Sequence, residues 1–319
     1  MEAVPAVATR GLTRAFGPHV ALDGLDLDVP AGSVLGLLGP SGAGKTTALR
    51  LMAGLARPTS GSVTVAGRPM RVGRDREARR RIGVLDQAPR FYGWMTGREL
   101  LAFVADLFGI RRSDAGARVE ESLDRVGLTA AADRRIASYS NAERQRLGLA
   151  QALIGRPEVL LLDEPVGSLD PAAREELLEL VGAVRETATV VLSAADPDDV
   201  EPVCDRVALL DQGRLVVDAR VDALVGGVKA TAYVLEVDSG PGLALAGLIA
   251  RLRKEPWVHA ADVDKNVLRI TVGDQGRAAH ELLPAIVSTG MSVGTFRRDR
   301  PSLRDAVAEL LARARAEAP

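Results

Sequence analysis

Gly39-Pro40-Ser41-Gly42-Ala43-Gly44-Lys45-Thr46-Thr47 decides the reading of this chain. Gly39, Gly44, Lys45 and Thr46 fill the pattern G-x-x-x-x-G-K-[ST] of a phosphate-binding P-loop. The glycines let backbone N–H groups turn inward around a polyphosphate, and the following helix aims its positive end at the same anion. Lys45 brings a point charge to the β- and γ-phosphates, and Thr46 a hydroxyl to Mg²⁺. The apolar run Val34-Leu35-Gly36-Leu37-Leu38 precedes the loop, and Ala48 to Leu55 has helical apolar spacing after it. Strand, loop and helix in that order are the setting the motif needs.

The 319 residues suffice for two domains of ordinary size. With 41 basic against 42 acidic residues, the net charge of −1 argues against a nucleic-acid binder built on a broad basic surface. One cysteine, Cys204, excludes a disulfide framework and a cysteine-rich metal site. Its apolar neighbours Val203 and Val207 suggest a small buried hydrophobe. No apolar run is long enough to span a bilayer, and the N-terminus lacks a signal-peptide pattern. The expected location is therefore the cytosol, or the cytosolic face of a membrane through a bound partner. The preference for arginine over lysine, with much alanine, glycine and valine, suggests a GC-rich bacterial source.

Residues 1 to about 225 read as an α/β domain. An antiparallel part is expected from Val7 to Phe16, Val20 to Val29 and Gly61 to Ala66. Glu99 to Leu107 and Arg118 to Val126 have helical spacing within a helical insertion over about 90–136. Val159 to Leu162, Val190 to Leu192 and Val207 to Leu210 are continuous apolar runs, as in parallel strands covered on both faces. From 226 to 319 the texture changes. Tyr233, Leu235 and Val237 alternate, and so do Leu268, Ile270 and Val272. Between and after them Leu245, Leu248, Ile249, Leu252 and then Ala279, Leu282, Leu283, Ile286 have helical spacing. The order β-α-β-β-α-β predicts a small ferredoxin-like α+β domain. A last helix follows Pro301-Ser302, with Ser302 and Asp305 forming a capping box.

Asp163-Glu164 ends the apolar run Val159 to Leu162 and precedes Pro165. That is the place for a carboxylate that helps hold Mg²⁺, with a second one beside it to orient or deprotonate a water. Together with the P-loop, these residues make the chain resemble the ATP-binding subunits of ABC transporters over residues 1 to about 220. The resemblance implies an ABC-type P-loop ATPase fold and assigns further roles. Phe16 would stack on adenine, although a core aromatic ending a strand is the competing reading. Gln87, after the strand Ile82 to Leu85, would be the Q-loop glutamine that contacts Mg²⁺ and water. Pro89 to Thr96 also looks like that family. Ser140-Asn141-Ala142-Glu143 lies at the signature, which acts in trans on the nucleotide of a second ATP-binding subunit. Gly167-Ser168-Leu169-Asp170 resembles the D-loop at the same interface. The last hundred residues resemble, more weakly, the tail domain of ATPases from type-2 ABC exporters, chiefly through Pro301-Ser302-Leu303-Arg304-Asp305.

Two departures from the family stand out. Asn141 and Ala142 replace the usual glycines of the signature. Asparagine tolerates positive φ, but the methyl of Ala142 adds bulk where backbone should approach phosphate. As a plain motif, Ser140 to Glu143 is also a capping box opening a helix over about 141–155. After Val190 to Leu192 the family places a switch histidine, and Ala195 stands there instead. His19, His259 and His280 lie elsewhere and have no metal-ligand spacing. The resemblance implies an ATPase that uses ATP and Mg²⁺ to power a separate polytopic membrane permease, as an exporter. The alternative is a nucleotide-binding regulatory or structural subunit with little turnover, favoured by Ala195 and Ala142. A soluble ABC protein of DNA repair or translation lacks support, with no second P-loop and no coiled-coil insertion.

Overall fold

The alternating segments near the N-terminus pair as an antiparallel hairpin of β1 (Val7–Phe16) and β2 (His19–Val29). The computed structural model describes residues 4–317 except 72, 74, 75, 228–230, 239–241, 300 and 301. Pro301, expected to open the last helix, therefore lies outside the described residues. β4 (Ser60–Val65) pairs with the other edge of β1, and the short β5 (Arg68–Pro69) pairs with β4. Alternation, reset by irregularities in the β1–β2 register between Thr9 and Ala15, puts Val7, Leu12, Leu22, Leu25, Leu27 and Val29 into the core, where each is almost fully enclosed.

The continuous apolar runs form a second sheet. β3 (Val34–Leu38), β6 (Ile82–Leu85), β7 (Val159–Leu162), β8 (Thr189–Ala194) and β9 (Arg206–Asp211) run parallel, in the order β9-β3-β8-β7-β6. β10 (Arg214–Arg220) closes the β9 edge as an antiparallel strand. It is only half-buried, as an edge strand is, and its apolar pattern is correspondingly weak. The order sets β3, β8, β7 and β6 side by side. Whatever follows their carboxyl ends must therefore converge in one crevice.

The helices of this unit are α1 (Lys45–Met52), α2 (Arg76–Arg80), α3 (Gly97–Leu107), α4 (Arg112–Arg125), α5 (Asn141–Leu153) and α6 (Pro171–Val184). α1 begins at Lys45, before the apolar periodicity of Ala48 to Leu55, because Gly44 in the left-handed region acts as its N-cap. α3 and α4 make the helical stretch expected between 90 and 136. α3 starts with a reciprocal capping box, Thr96 with Glu99, and buries Leu100, Leu101 and Val104.

The chain divides into two units, Met1–Arg220 and Val221–Pro319. The division falls before α7 (Val221–Gly227), whereas the change of texture suggested 225/226, because α7 packs against α10 (Leu303–Glu317). Between them run β11 (Thr231–Val237), α8 (Leu243–Leu252), β12 (Val258–Asp264), β13 (Val267–Val272), α9 (Gln275–Val287) and β14 (Val293–Asp299). The strands form one antiparallel sheet in the order β12-β13-β11-β14. Leu235, Val237, Leu245, Leu248, Leu268, Ile270, Leu282 and Ile286 fill its core. The reciprocal Ser302–Asp305 cap is present, with Ser302 N–H donating to Asp305 at 2.9 Å. Asp305 also accepts from Arg269 at 2.8 Å and from Thr271 at 2.7 Å. Burial pushes the Asp305 carboxyl up, but the hydrogen bonds from Arg269, Thr271 and Ser302 hold it below the usual carboxylate range.

Candidate nucleotide-binding site

The P-loop is bent by glycines that no other residue replaces. Gly39 has φ 155° and Gly44 φ 101°; an added Cβ would lie 2.2 Å from the Leu210 carbonyl oxygen and 2.5 Å from that of Ala21. The loop therefore packs closely against backbone at both glycines, and within it Ala43 N–H donates to the Pro40 carbonyl oxygen at 3.1 Å. The cleft, about 350 Å³, is lined by Ser41 to Thr47 together with Phe16, Gln87 and Glu164. These are residues that sequence reasoning selected from four separate segments.

Lys45 is only 4% exposed. Its ammonium donates to the carbonyl oxygens of Gly39 at 2.8 Å and Pro40 at 3.1 Å, and lies 3.4 Å from Glu164 Oε1. Gln87 Nε2 donates to the other Glu164 oxygen at 2.8 Å. Glu164 thus sits between the cation of the P-loop and the amide of the Q-loop. Its own backbone is held at φ 41°, uncommon for a non-glycine residue and found at sites where structure over-determines the chain. Thr46 Oγ1 donates to Asp163 Oδ1 at 3.0 Å. A hydroxyl and a carboxylate beside a phosphate loop are hard oxygen donors of the kind Mg²⁺ takes with substrate phosphates. The residues present fit that ion.

Three participants escaped the sequence reading or carried another role in it. Ser193, at the carboxyl end of β8, donates to Asp163 Oδ1 at 2.7 Å and accepts from Glu164 N–H at 2.9 Å. Gln145 on α5 is buried and donates to the Gln87 carbonyl oxygen at 2.8 Å, tying the signature helix to the Q-loop. A polar residue on the same helix face as the buried Leu149 and Ala152 was the available signal. His19 also lines the cleft, brought beside Phe16 by the hairpin turn. Phe16 is 52% exposed, and the Arg14 guanidinium lies 4.4 Å over its ring. It is a rim aromatic and not a core one.

Ser140 caps α5 by accepting from Glu143 N–H, and Ser140 N–H in turn donates to the Glu143 carboxylate at 2.7 Å. Arg134 pairs with Glu143 and lowers its carboxyl further. Asn141 is the first residue of the helix and has no positive φ, so its tolerance of that region is not called upon. Its side chain instead donates to Ser168 of the D-loop, at 3.0 Å to the carbonyl oxygen and 2.9 Å to Oγ. Ala142, in the same first turn, is half-buried. Asp170 caps α6 by accepting from Ala173 N–H. Ala195 is exposed just beyond β8 and offers only a methyl. Cys204 is buried, and burial pushes its thiol up.

A family described as "ABC transporter" matches residues 22–167. The protein YxlF of Bacillus subtilis (strain 168), an ABC transporter ATP-binding protein by its name, is 33% identical over 94% of this chain and 97% of its own length. The daunorubicin resistance ATP-binding protein DrrA2 of Streptomyces coeruleorubidus is 37% identical over 94% of this chain and 93% of its own. Among solved structures, cbiO1 from Clostridium perfringens, part of the transporter complex cbiONQ, superposes with a TM-score of 0.64. It is 24% identical and covers 70% of this chain and 91% of its own, a likeness of fold. The phosphate loop, its carboxylates and the full-length similarity agree: this chain belongs to the ATP-binding subunits of ABC transporters.

Proposed function

We propose that this chain hydrolyses ATP to power a bacterial exporter whose cargo is drug- or antibiotic-like. The observation that carries the reading is the Lys45–Glu164–Gln87 cluster facing the P-loop, with Thr46 and Asp163 beside it. Backbone N–H groups of Ser41, Gly42 and Gly44 to Thr47, together with the ammonium of Lys45, bind the phosphates. Phe16 supports the adenine ring. Thr46, Asp163 and Gln87 would hold Mg²⁺, which would supply neutralisation of phosphate charge. Glu164 takes the proton of the attacking water, and Gln87 orients that water and keeps the carboxylate turned toward it.

In this reading two ATP-binding subunits close head to tail, and Ser140 with α5 faces the partner's nucleotide. A separate polytopic permease docks on the helical insertion. Its exposed Tyr92 (60%) and Trp94 (68%), with ring centroids 5.9 Å apart, suit a protein contact. No helix among the described residues is long and apolar enough to cross a membrane. The chain would work at the cytoplasmic face, carried there by the permease. Its C-terminal unit would serve as a ferredoxin-like accessory domain. The daunorubicin-resistance relatives suggest the cargo class.

Turnover should be slow, because Ala195 removes the family's histidine from the site on this chain's own P-loop. Loss of one transition-state contact costs a few kcal/mol, roughly a hundredfold in rate. The test compares phosphate release by the native chain and Ala195→His, each with its membrane partner. A gain of at least tenfold is expected. Brisk native turnover with no gain from histidine would defeat the slow-site reading, and no ATP binding at all would defeat the whole.

A further inference from the structure

We propose that Ser193 is the positioning residue of this site, a buried hydroxyl that fixes both Asp163 and the backbone of Glu164. The inference rests on the ATP-hydrolysing reading above for its purpose, but on the hydrogen bonds of Ser193 itself for its support. β7 and β8 pair in parallel with Leu162 opposite Leu192, so the next residue of each, Asp163 and Ser193, meet at the sheet end. Ser193 is 0% exposed. Its single proton goes to Asp163 Oδ1 at 2.7 Å, and its lone pair accepts Glu164 N–H at 2.9 Å.

A hydroxyl has one proton to give, and Asp163 holds it. Ser193 therefore does not replace the missing histidine as a donor to phosphate. It acts from behind instead. Asp163 keeps a fixed donor on Oδ1 whether Thr46 also donates there or serves Mg²⁺. Glu164 leaves β7 at φ 41°, a conformation that needs an external restraint. The hydrogen bond from its N–H to Ser193 supplies one, and aims the carboxylate at Lys45 and Gln87.

The experiment uses the full chain with Ser193→Ala and Ser193→Thr. Amide hydrogen exchange of Glu164 is read by NMR without nucleotide, and the Mg²⁺ dependence of binding is read with a fluorescent ATP analogue. Ser193→Ala should speed Glu164 exchange about tenfold or more and cut the Mg²⁺ enhancement of affinity by a similar factor. Ser193→Thr should restore both. Turnover with the permease should fall in the alanine variant through kcat and not KM. Native-like Glu164 exchange in Ser193→Ala overturns the proposal. So does an equal rise in exchange at Val191, which would mark general loosening of β8. Absence of turnover in the native chain would sink the function reading alone, since the exchange measurement needs no hydrolysis.

Discussion

Replacing Lys45 by alanine removes a buried ammonium from the P-loop cleft, and its cost can be worked from the geometry. At 3.4 Å from Glu164 Oε1, a unit charge pair in an effective dielectric near 20 interacts by about 5 kcal/mol. A nucleotide phosphate taking the place of that carboxylate would gain a comparable amount. Against this stand the bonds Lys45 already makes to Glu164, Gly39 and Pro40, which it must give up or share. The net loss of ATP affinity on removing the ammonium should be about 2–4 kcal/mol, roughly 30- to 1,000-fold. Folding should suffer little. The buried ammonium carries its own desolvation cost, and Glu164 is reached by water once unpaired. Binding of a fluorescent ATP analogue by titration, with melting curves on the same samples, tests both halves. Lys45→Arg should fail as well, because a planar guanidinium does not reproduce the compact ammonium that meets the carbonyls of Gly39 and Pro40 and Glu164 from one point. Affinity within threefold of native in a folded Lys45→Ala protein would refute the reasoning.

Asn141→Gly removes the donor to Ser168 and should raise amide exchange over residues 167–170 several-fold, with the Ser140–Glu143 cap intact; unchanged exchange would show that the contact restrains nothing. A chain ending at Arg220 should remain soluble and bind ATP, whereas one ending at Val225 keeps part of α7 without the α10 it packs against. Insolubility of the shorter chain would mean that its fold needs the second unit. The lowered Asp305 carboxyl stabilises the C-terminal unit above the pKa of an unfolded aspartate, near 4. That stability should be lost as pH falls from about 4 through the depressed folded value, and Asp305→Asn should remove this one contribution, so that melting curves of the full chain below about pH 4 shift less than those of the native chain.

How much of this was legible in residues alone depended on whether the signal was local. The P-loop, Asp163-Glu164, and the parallel strands are written in short runs whose chemistry and periodicity need no partner. The βαββαβ order of the C-terminal unit was likewise carried by period-2 and period-3.6 patterns. The start of α1 was not, because a left-handed glycine and not apolar spacing sets it. β10 was weakly written, since an edge strand buries little.

The sequence by itself picked out the residues proposed to bear the chemistry: a lysine, a threonine and two carboxylates of the types that phosphate and Mg²⁺ call for. Only the tertiary structure decided how they are held. The order β3-β8-β7-β6 brings Gly39, Ser193, Asp163 and Gln87 together from segments far apart in the chain. The role of Ser193 comes only from there, because a hydrogen bond between strands leaves no periodic trace; helical spacing marks Gln145 as inward-facing, and only the fold supplies its partner, the Gln87 carbonyl. Asn141 makes the same point. In sequence it is a departure from glycine; in the fold it is a donor to the D-loop, since helix capping turns its side chain toward Ser168.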